Sequence, residues 1–358
     1  MKKKSISIIG LGLIGGSLAK AFKKAHPDLN VAAFDNEHIL NKAVEDEVID
    51  EKLFDINDSL HSDIIFLCLP VNDSLIAFKQ LIPNLKEGQI ITDVCSVKGI
   101  FAKIWDESKS KGIYFGGHPM TGKEKSGYEN CDSLLFENAV YILTDGHDEN
   151  VFKDFAALIE STGAHVTFLN AELHDNIIAE VSHLPQLVAT SLVNTISEQK
   201  DFNSLSFAAG GFRDMTRIAS SPFKVWEPII KYNKVKILEA LDSFKKEIEN
   251  ITSQVSNEDF NSLSNKFESA RVKRDAIPKN TKGFISQLYD VYVYVKDQPG
   301  EMSKISTALY NADINIKDIE VLKIREGTGG TFRLAFSNEN DALNAKKIVE
   351  GIGFSTKI

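Results

Sequence analysis

Hydrophobic and polar positions along the first 170 residues follow two rhythms. Short continuous apolar runs alternate with stretches whose apolar residues recur every three or four positions, the marks of buried strands and of amphipathic helices. Ser5-Ile6-Ser7-Ile8-Ile9 predicts a strand, Leu18, Ala19, Ala21 and Phe22 the inner face of a helix, and Val31-Ala32-Ala33-Phe34 a second strand. Further strands are expected at residues 63–70, 89–94 and 113–115, the last opening into the loop Gly116-Gly117-His118-Pro119-Met120-Thr121-Gly122. Ala139 to Leu143 and His165 to Phe168 add two more, with a helix between them from about Glu149 to Ser161. Strand and helix in alternation argue a parallel α/β sheet covered on both faces.

From Ala171 the strand rhythm stops. Helices are expected at about 175–198, 207–220, 223–252 and 258–274. Trp226, Ile229, Ile230, Val235, Leu238, Leu241, Phe244 and Ile248 form a long apolar stripe. By analogy with other dinucleotide enzymes, such a block supplies a substrate lid and a dimer surface. Residues 276–283 read as a linker. The remainder reads strand 289–296, helix 301–311, strands 314–324 and 331–336, helix 339–350, strand 354–358, the β-α-β-β-α-β order of a ferredoxin-like fold. The expected division is a Rossmann-like α/β dinucleotide-binding domain at 1–170, an all-helical substrate and dimerisation domain at 171–280, and a small α+β domain at 288–358.

The first strand leads into Gly10-Leu11-Gly12-Leu13-Ile14-Gly15-Gly16-Ser17, a Gly-x-Gly-x-x-Gly turn between strand and helix. Gly10 permits the tight turn, Gly12 lets backbone amides approach a pyrophosphate, and Gly15 lets helix and strand pack closely. Leu13 and Ile14, within the turn, are expected to line the same site, and the positive end of the helix that follows would face the phosphates. Asp35 ends the second strand at the spacing of the carboxylate that holds a ribose diol. Its charge would repel a 2′-phosphate and no Arg follows it, which favours NAD over NADP. Pro70 and Val71 follow a buried strand and are expected to line the same site. A glycine-rich turn without a ligand is the plainer alternative.

Composition narrows the classes. The 41 basic and 50 acidic side chains give a net charge of −9, without the basic signature of a nucleic-acid binder. No apolar run approaches a membrane span, and the run behind Met1-Lys2-Lys3-Lys4 is too short and glycine-broken for a secretory signal. Cys68, Cys95 and Cys131 have neither metal nor disulfide spacing, so a reducing, cytoplasmic setting is expected.

Several side chains are candidates for chemistry. His118 can take a proton from a hydroxyl as hydride leaves the same carbon; a loop histidine bonded to backbone is the alternative. Ser96 could donate to the reacting oxygen or to His118, or cap the next helix. Lys98 could reach an anion or be solvated. In Gly210-Gly211-Phe212-Arg213-Asp214-Met215-Thr216-Arg217, Asp214 and Arg217 stand i, i+3, either as a surface ion pair or as part of a fork for a substrate carboxylate. His174-Asp175 and His183 invite a metal reading, but their spacing does not support one, and no metal is expected. His183, just before Pro185, either faces a cleft at a helix kink or is a satisfied core residue.

Four stretches together resemble prephenate dehydrogenases of tyrosine biosynthesis, in the form with a C-terminal ACT domain. They are Gly10 to Ser17, Asp93 to Lys98, Gly116 to Glu124, and Gly210 to Ala219 with Trp226 beyond. Asp297-Gln298-Pro299-Gly300 resembles the ligand-binding turn of ACT domains and extends the resemblance to nearly the whole chain. The resemblance implies NAD-dependent oxidative decarboxylation of prephenate to 4-hydroxyphenylpyruvate. It implies that His118 accepts a hydrogen bond from the substrate's ring hydroxyl with Ser96 in support, that Arg217 binds a substrate carboxylate, and that His183 lines the pocket. Glu124, Asp214 and Trp226, with Gly210 beside them, would shape or gate that pocket. Gln186 stands where the family often has a second histidine, which bears on whether a keto or an amino side chain is preferred. Arogenate is therefore the alternative substrate, and a non-catalytic dinucleotide and amino-acid sensor the alternative of another class. The ACT-like turn at Asp297, Pro299 and Gly300 implies feedback by tyrosine, or else an oligomerisation module. A homodimer is expected.

Overall fold

The structure is a computed structural model that describes residues 5–123, 125–144, 149–198, 204–276, 288–325 and 329–357. Glu124, the N-terminal basic run and most of the expected linker, residues 277–283, lie outside them. By contacts the chain divides into two compact units, Met1–Asn265 and Lys266–Ile358.

The first unit begins with β1 (Ser5–Ile9), α1 (Leu13–Ala25), β2 (Asn30–Phe34), α2 (Glu37–Glu45), β3 (Glu51–Lys52), β4 (Ile64–Leu67), α3 (Val71–Leu81), β5 (Ile90–Asp93), α4 (Gly99–Asp106) and β6 (Ile113–Phe115). These six strands form one sheet in the order β3-β2-β1-β4-β5-β6, and every pairing is parallel. The order reverses between β1 and β4, and the crevice at the carboxyl ends of such strands is where this fold binds ligands. Alternate side chains serve opposite faces. Ile6, Ile8, Phe66 and Phe115 pack with Leu18 and Phe22, while Ile65, Leu67, Ile91 and Tyr114 pack with Phe78 and Phe101. Burying each such side chain contributes about 1.5–3 kcal/mol.

A second, three-stranded sheet follows, and here the expectation of one parallel sheet with a loop after residue 115 is corrected. β7 (Gly117–Pro119) pairs antiparallel with β8 (Val140–Thr144), and after α5 (Glu149–Glu160), β9 (His165–Leu169) pairs parallel with β8. His118 is thus a strand residue opposite Ile142 rather than a loop residue. Three residues are too few to show a period in the sequence. Gly117 allows the approach of β7 to β5: a Cβ there would lie 2.4 Å from the Asp93 carbonyl oxygen.

The helical part runs α6 (Ala171–Ile178), a π turn (Ala179–His183), α7 (Leu184–Ser197), α8 (Gly210–Thr216), a 3₁₀ turn (Arg217–Ser220), α9 (Phe223–Tyr232), α10 (Lys234–Ser256) and α11 (Phe260–Ala276), which crosses the division between units. The helix expected at 175–198 starts earlier, where the Asn170 side chain accepts from Leu173 N at 2.7 Å. It is interrupted just before Pro185, whose missing N–H cannot continue the ladder. The helix expected at 223–252 is two helices that meet at Asn233.

The second unit carries β10 (Tyr289–Val295), α12 (Glu301–Asn311), β11 (Asp318–Arg325), β12 (Gly329–Phe336), α13 (Glu339–Gly351) and β13 (Ser355–Lys357). The order β11-β12-β10-β13, antiparallel throughout, is the ferredoxin-like sheet expected from the sequence. Asp297, Pro299 and Gly300 form an exposed turn into α12, with Gly300 at φ 90°.

Candidate active site

The glycine-rich turn sits at the carboxyl ends of β1, β2 and β4. Gly10 N donates to Phe34 O at 2.9 Å and Cys68 N to Ile9 O at 2.8 Å, which draws the three strand ends together. A Cβ on Gly15 would lie 1.9 Å from Gly10 O, so only glycine fits. A Cβ on Gly12 would meet nothing within 4 Å: the space over the start of α1 is open, as a pyrophosphate requires. Asp35 Oδ2 accepts from Leu11 N at 2.6 Å, which ties the acid to the turn and leaves further lone pairs for a ribose diol. Pro70 caps α3 and Val71 begins it, directly beyond β4. Glycines, helix end and acid fit a dinucleotide.

Beyond β5 lies a buried polar cluster. Asp93 accepts from Tyr114 Oη at 2.8 Å, from Cys95 N at 2.8 Å and from Lys98 Nζ. Lys98 is therefore neither solvated nor a surface cation; it is buried against Asp93. Ser96 does not cap α4. That role falls to Asp175 of α6, whose carboxylate accepts from Lys98 N at 2.7 Å and Gly99 N at 2.8 Å. Asp175 Oδ1 also faces His174 Nδ1 at 2.8 Å, and His174 Nε2 faces His118 Nδ1 at 2.9 Å. A continuous chain, Asp175–His174–His118, thus joins the helical block to the second sheet. Among the described residues no group of three His, Cys, Asp or Glu side chains could hold a metal ion.

Burial sets the electrostatics. It pushes the His118 imidazole well below its ordinary 6.5, and nearby His174, Lys98 and His183 add to the effect. His174 is also lowered, mainly by burial, with Asp175 opposing. Burial would push Asp175 up, yet bonds from His174, Gly99 and Lys98 hold it below the ordinary carboxylate value. The cluster at neutral pH is a carboxylate with two neutral imidazoles, and His118 Nε2 has no hydrogen-bond partner among the described residues. It is a base with one free lone pair.

His183 ends the π turn, a distortion common at functional sites. It is 1% exposed. Asn233, at the break between α9 and α10, donates from Nδ2 to Asp175 O at 2.7 Å and lies 3.3 Å from His183 Nδ1. An amide nitrogen only donates, so His183 accepts at Nδ1 and carries its proton on Nε2. Among the described residues, that Nε2 is buried without a hydrogen-bond partner, a donor available to a ligand. Trp226 stands edge-on to His183, ring centroids 6.0 Å apart. Burial lowers His183 to about 4, so the donor is neutral.

The structure therefore gathers His118, His183 and Trp226 with three residues that the sequence reading did not place in the site: His174, Asp175 and Asn233. The only signal for the first two was a His-Asp pair read as a poor metal motif; Asn233 gave none. Arg217, Asp214 and Gly210 are not in this buried cluster. They lie on the exposed segment α8 and its 3₁₀ turn, which packs on α7.

Comparison with known proteins agrees with this layout. The description "Prephenate dehydrogenase, nucleotide-binding domain" matches residues 18–168, "Prephenate dehydrogenase, dimerization domain" residues 170–269, and "ACT domain" residues 289–354. A prephenate dehydrogenase of Bacillus subtilis is 36% identical over 97% of this chain and 96% of its own. The crystal structure of prephenate dehydrogenase from A. aeolicus in complex with hydroxyphenyl propionate and NAD+ is 30% identical, with TM-score 0.71 over 77% of this chain and 99% of that one. Synechocystis arogenate dehydrogenase is 28% identical, with TM-score 0.69 over 76% and 99%.

Proposed function

We infer the activity from one premise: the chain belongs to the prephenate dehydrogenase family. It is an NAD-dependent enzyme that oxidises and decarboxylates prephenate to 4-hydroxyphenylpyruvate in tyrosine synthesis. Bound at the Gly10–Gly15 turn and Asp35, NAD supplies the hydride acceptor. Prephenate carries a hydroxyl and a hydrogen on C4 and a carboxylate on C1 of a cyclohexadiene. His118 Nε2 takes the hydroxyl proton as the C4 hydride departs, which builds a carbonyl. The C1–carboxylate bond then breaks, its electron pair enters the ring, and the new aromatic oxygen recovers the proton from His118. Aromatisation makes the sequence downhill, so the chain has only to orient substrate and hold charge.

The observation that carries this reading is the neutral, buried His118 whose one unused nitrogen is a base. The buried Nε2–H of His183 supports a second contact, to a substrate oxygen. Ser96 is proposed to assist His118, with Arg217 as the partner of a substrate carboxylate and Asp214, Gly210, Glu124 and Trp226 shaping its surroundings. Residues 1–170, 171–280 and 288–358 would be the cofactor, substrate and regulatory parts. The family match to a dimerization domain and the exposed Val235, Leu238 and Ile248 of α10 support a homodimer. The ACT match supports an amino-acid effector, tyrosine, at the Asp297–Gly300 turn. Three free cysteines fit a cytoplasmic enzyme. No helix among the described residues is long and apolar enough to cross a membrane. Steady-state NADH formation with prephenate and with arogenate, each with and without tyrosine, tests the activity, the substrate and the effector. Faster turnover of arogenate would reassign the substrate, and no NADH from either would leave a binding protein.

A further inference from the structure

The bonds around His118 fix more than its place. Asp175 is an acceptor with three donors converging on it: Lys98 N, Gly99 N and His174 Nδ1. Two of them are backbone amides at the start of α4, so the carboxylate is locked by the fold and favoured by the helix end. A carboxylate cannot donate, so His174 carries its proton on Nδ1 and turns a lone pair at Nε2 towards His118. His118 then donates from Nδ1 across the 2.9 Å contact and keeps a bare Nε2. Both residues are buried, His174 at 0% and His118 at 9% exposure, which disfavours competition from solvent for these bonds.

We propose that His174, anchored by Asp175, is a positioning residue for the reaction: acting through two imidazoles in series, it holds His118 in the tautomer whose Nε2 is the proton acceptor. This rests on the reading of His118 as the base. The same chain shares the charge that His118 gains when it borrows the hydroxyl proton. That proton returns to the aromatic oxygen at the end of the reaction. The chain therefore needs no exit to solvent, in keeping with its burial. A histidine that merely fills the core would have no reason to set the protonation of a neighbour 56 residues away in sequence.

The test reads the tautomers directly, by long-range proton–nitrogen correlation on full-length protein labelled with ¹⁵N-histidine. In the unaltered protein both His118 and His174 are expected to carry the proton on Nδ1. Finding it on Nε2 of His118 would overturn the proposal without reference to activity. Two variants complete it. His174→Leu removes the acceptor; His118 should shift towards the Nε2–H form and kcat should fall on the order of 10²-fold with NAD affinity unchanged. His174→Gln can still accept from His118 Nδ1 through its amide oxygen, and should restore both the tautomer and most of the rate. Equal loss in the two variants would reduce His174 to a packing role and sink the proposal. If the native protein forms no NADH from prephenate, the assigned reaction fails instead, and the tautomer measurement alone decides whether His174 orients His118.

Discussion

His118 and Arg217 stand at opposite extremes of construction. His118 is buried on a strand, its Nδ1 bonded to His174, which is bonded in turn to Asp175. Arg217 lies exposed in the short turn after α8, beside Asp214 and Gly210, which are exposed as well. The first region is finished by the chain itself: its tautomers, charges and helix cap are settled before any ligand arrives. The second places a guanidinium and a carboxylate on an exposed segment of the helical block. A reaction that borrows and returns one proton needs the former kind of site, because a misoriented base costs rate. The role proposed for Arg217 is of the other kind, a charge-assisted contact to a substrate carboxylate.

Substitutions in the two regions should therefore act on different kinetic constants. His118→Asn should lower kcat by about 10²–10⁴-fold, the range for loss of a general base, while NAD affinity holds. Turnover within a few fold of native would remove His118 from the chemistry. Arg217→Ala should act on the other axis, raising KM for prephenate by about 10–100-fold with kcat much less affected, as expected for one charge-assisted contact. A large fall in kcat with unchanged KM would place Arg217 at the reacting atoms instead. Asn233→Ala strips the donor from His183 Nδ1 and Asp175 O, and should destabilise the fold by about 1–3 kcal/mol in denaturant titration, with a raised KM for prephenate. Stability equal to native would show that Asn233 holds neither.

The smallest effect is in the pH dependence of stability. His118, His174 and His183 all titrate below their ordinary 6.5 in the folded chain, His183 at about 4. The unfolded chain therefore binds protons that the folded chain refuses, and stability must rise with pH across that window. Each such histidine weakens the fold by about 1.4 kcal/mol per unit as pH falls from 6.5 towards its folded value. Melting temperature should be level above pH 7 and decline below 6.5, and the decline should be shallower in His183→Gln. An identical decline in that variant would mean the imidazole is not held neutral by burial.

Local features were legible in the sequence and long-range ones were not. The Gly10–Gly15 turn, Asp35 and the ferredoxin-like order of the last 70 or so residues are local: glycine geometry, strand period and helix period lie within a few residues of each other. Asp297 to Gly300 announced its turn through Pro and Gly. The His118–His174 contact joins residues 56 apart, and nothing in either neighbourhood signals it. Asn233 interrupts what reads as one helix because the pattern of apolar residues continues on both sides of it. A helix cap is one of two readings of Ser96 and a solvated cation one of two readings of Lys98; Asp175 takes the first role and Asp93 buries Lys98. In each case the partner came from elsewhere in the fold. Arg217 is the converse: its motif is plain in the sequence, and its proposed partner is a substrate carboxylate rather than a residue of the buried cluster.

The central claim is that a neutral, buried His118 is the base in prephenate oxidation. The direct test is kcat/KM for prephenate against pH, measured side by side in the native enzyme and in His118→Asn. The account predicts a native profile level through neutrality that falls with a single proton only well below pH 6.5, and the loss of that acidic limb, at much lower rate, in the variant. The same limb in both proteins would contradict it.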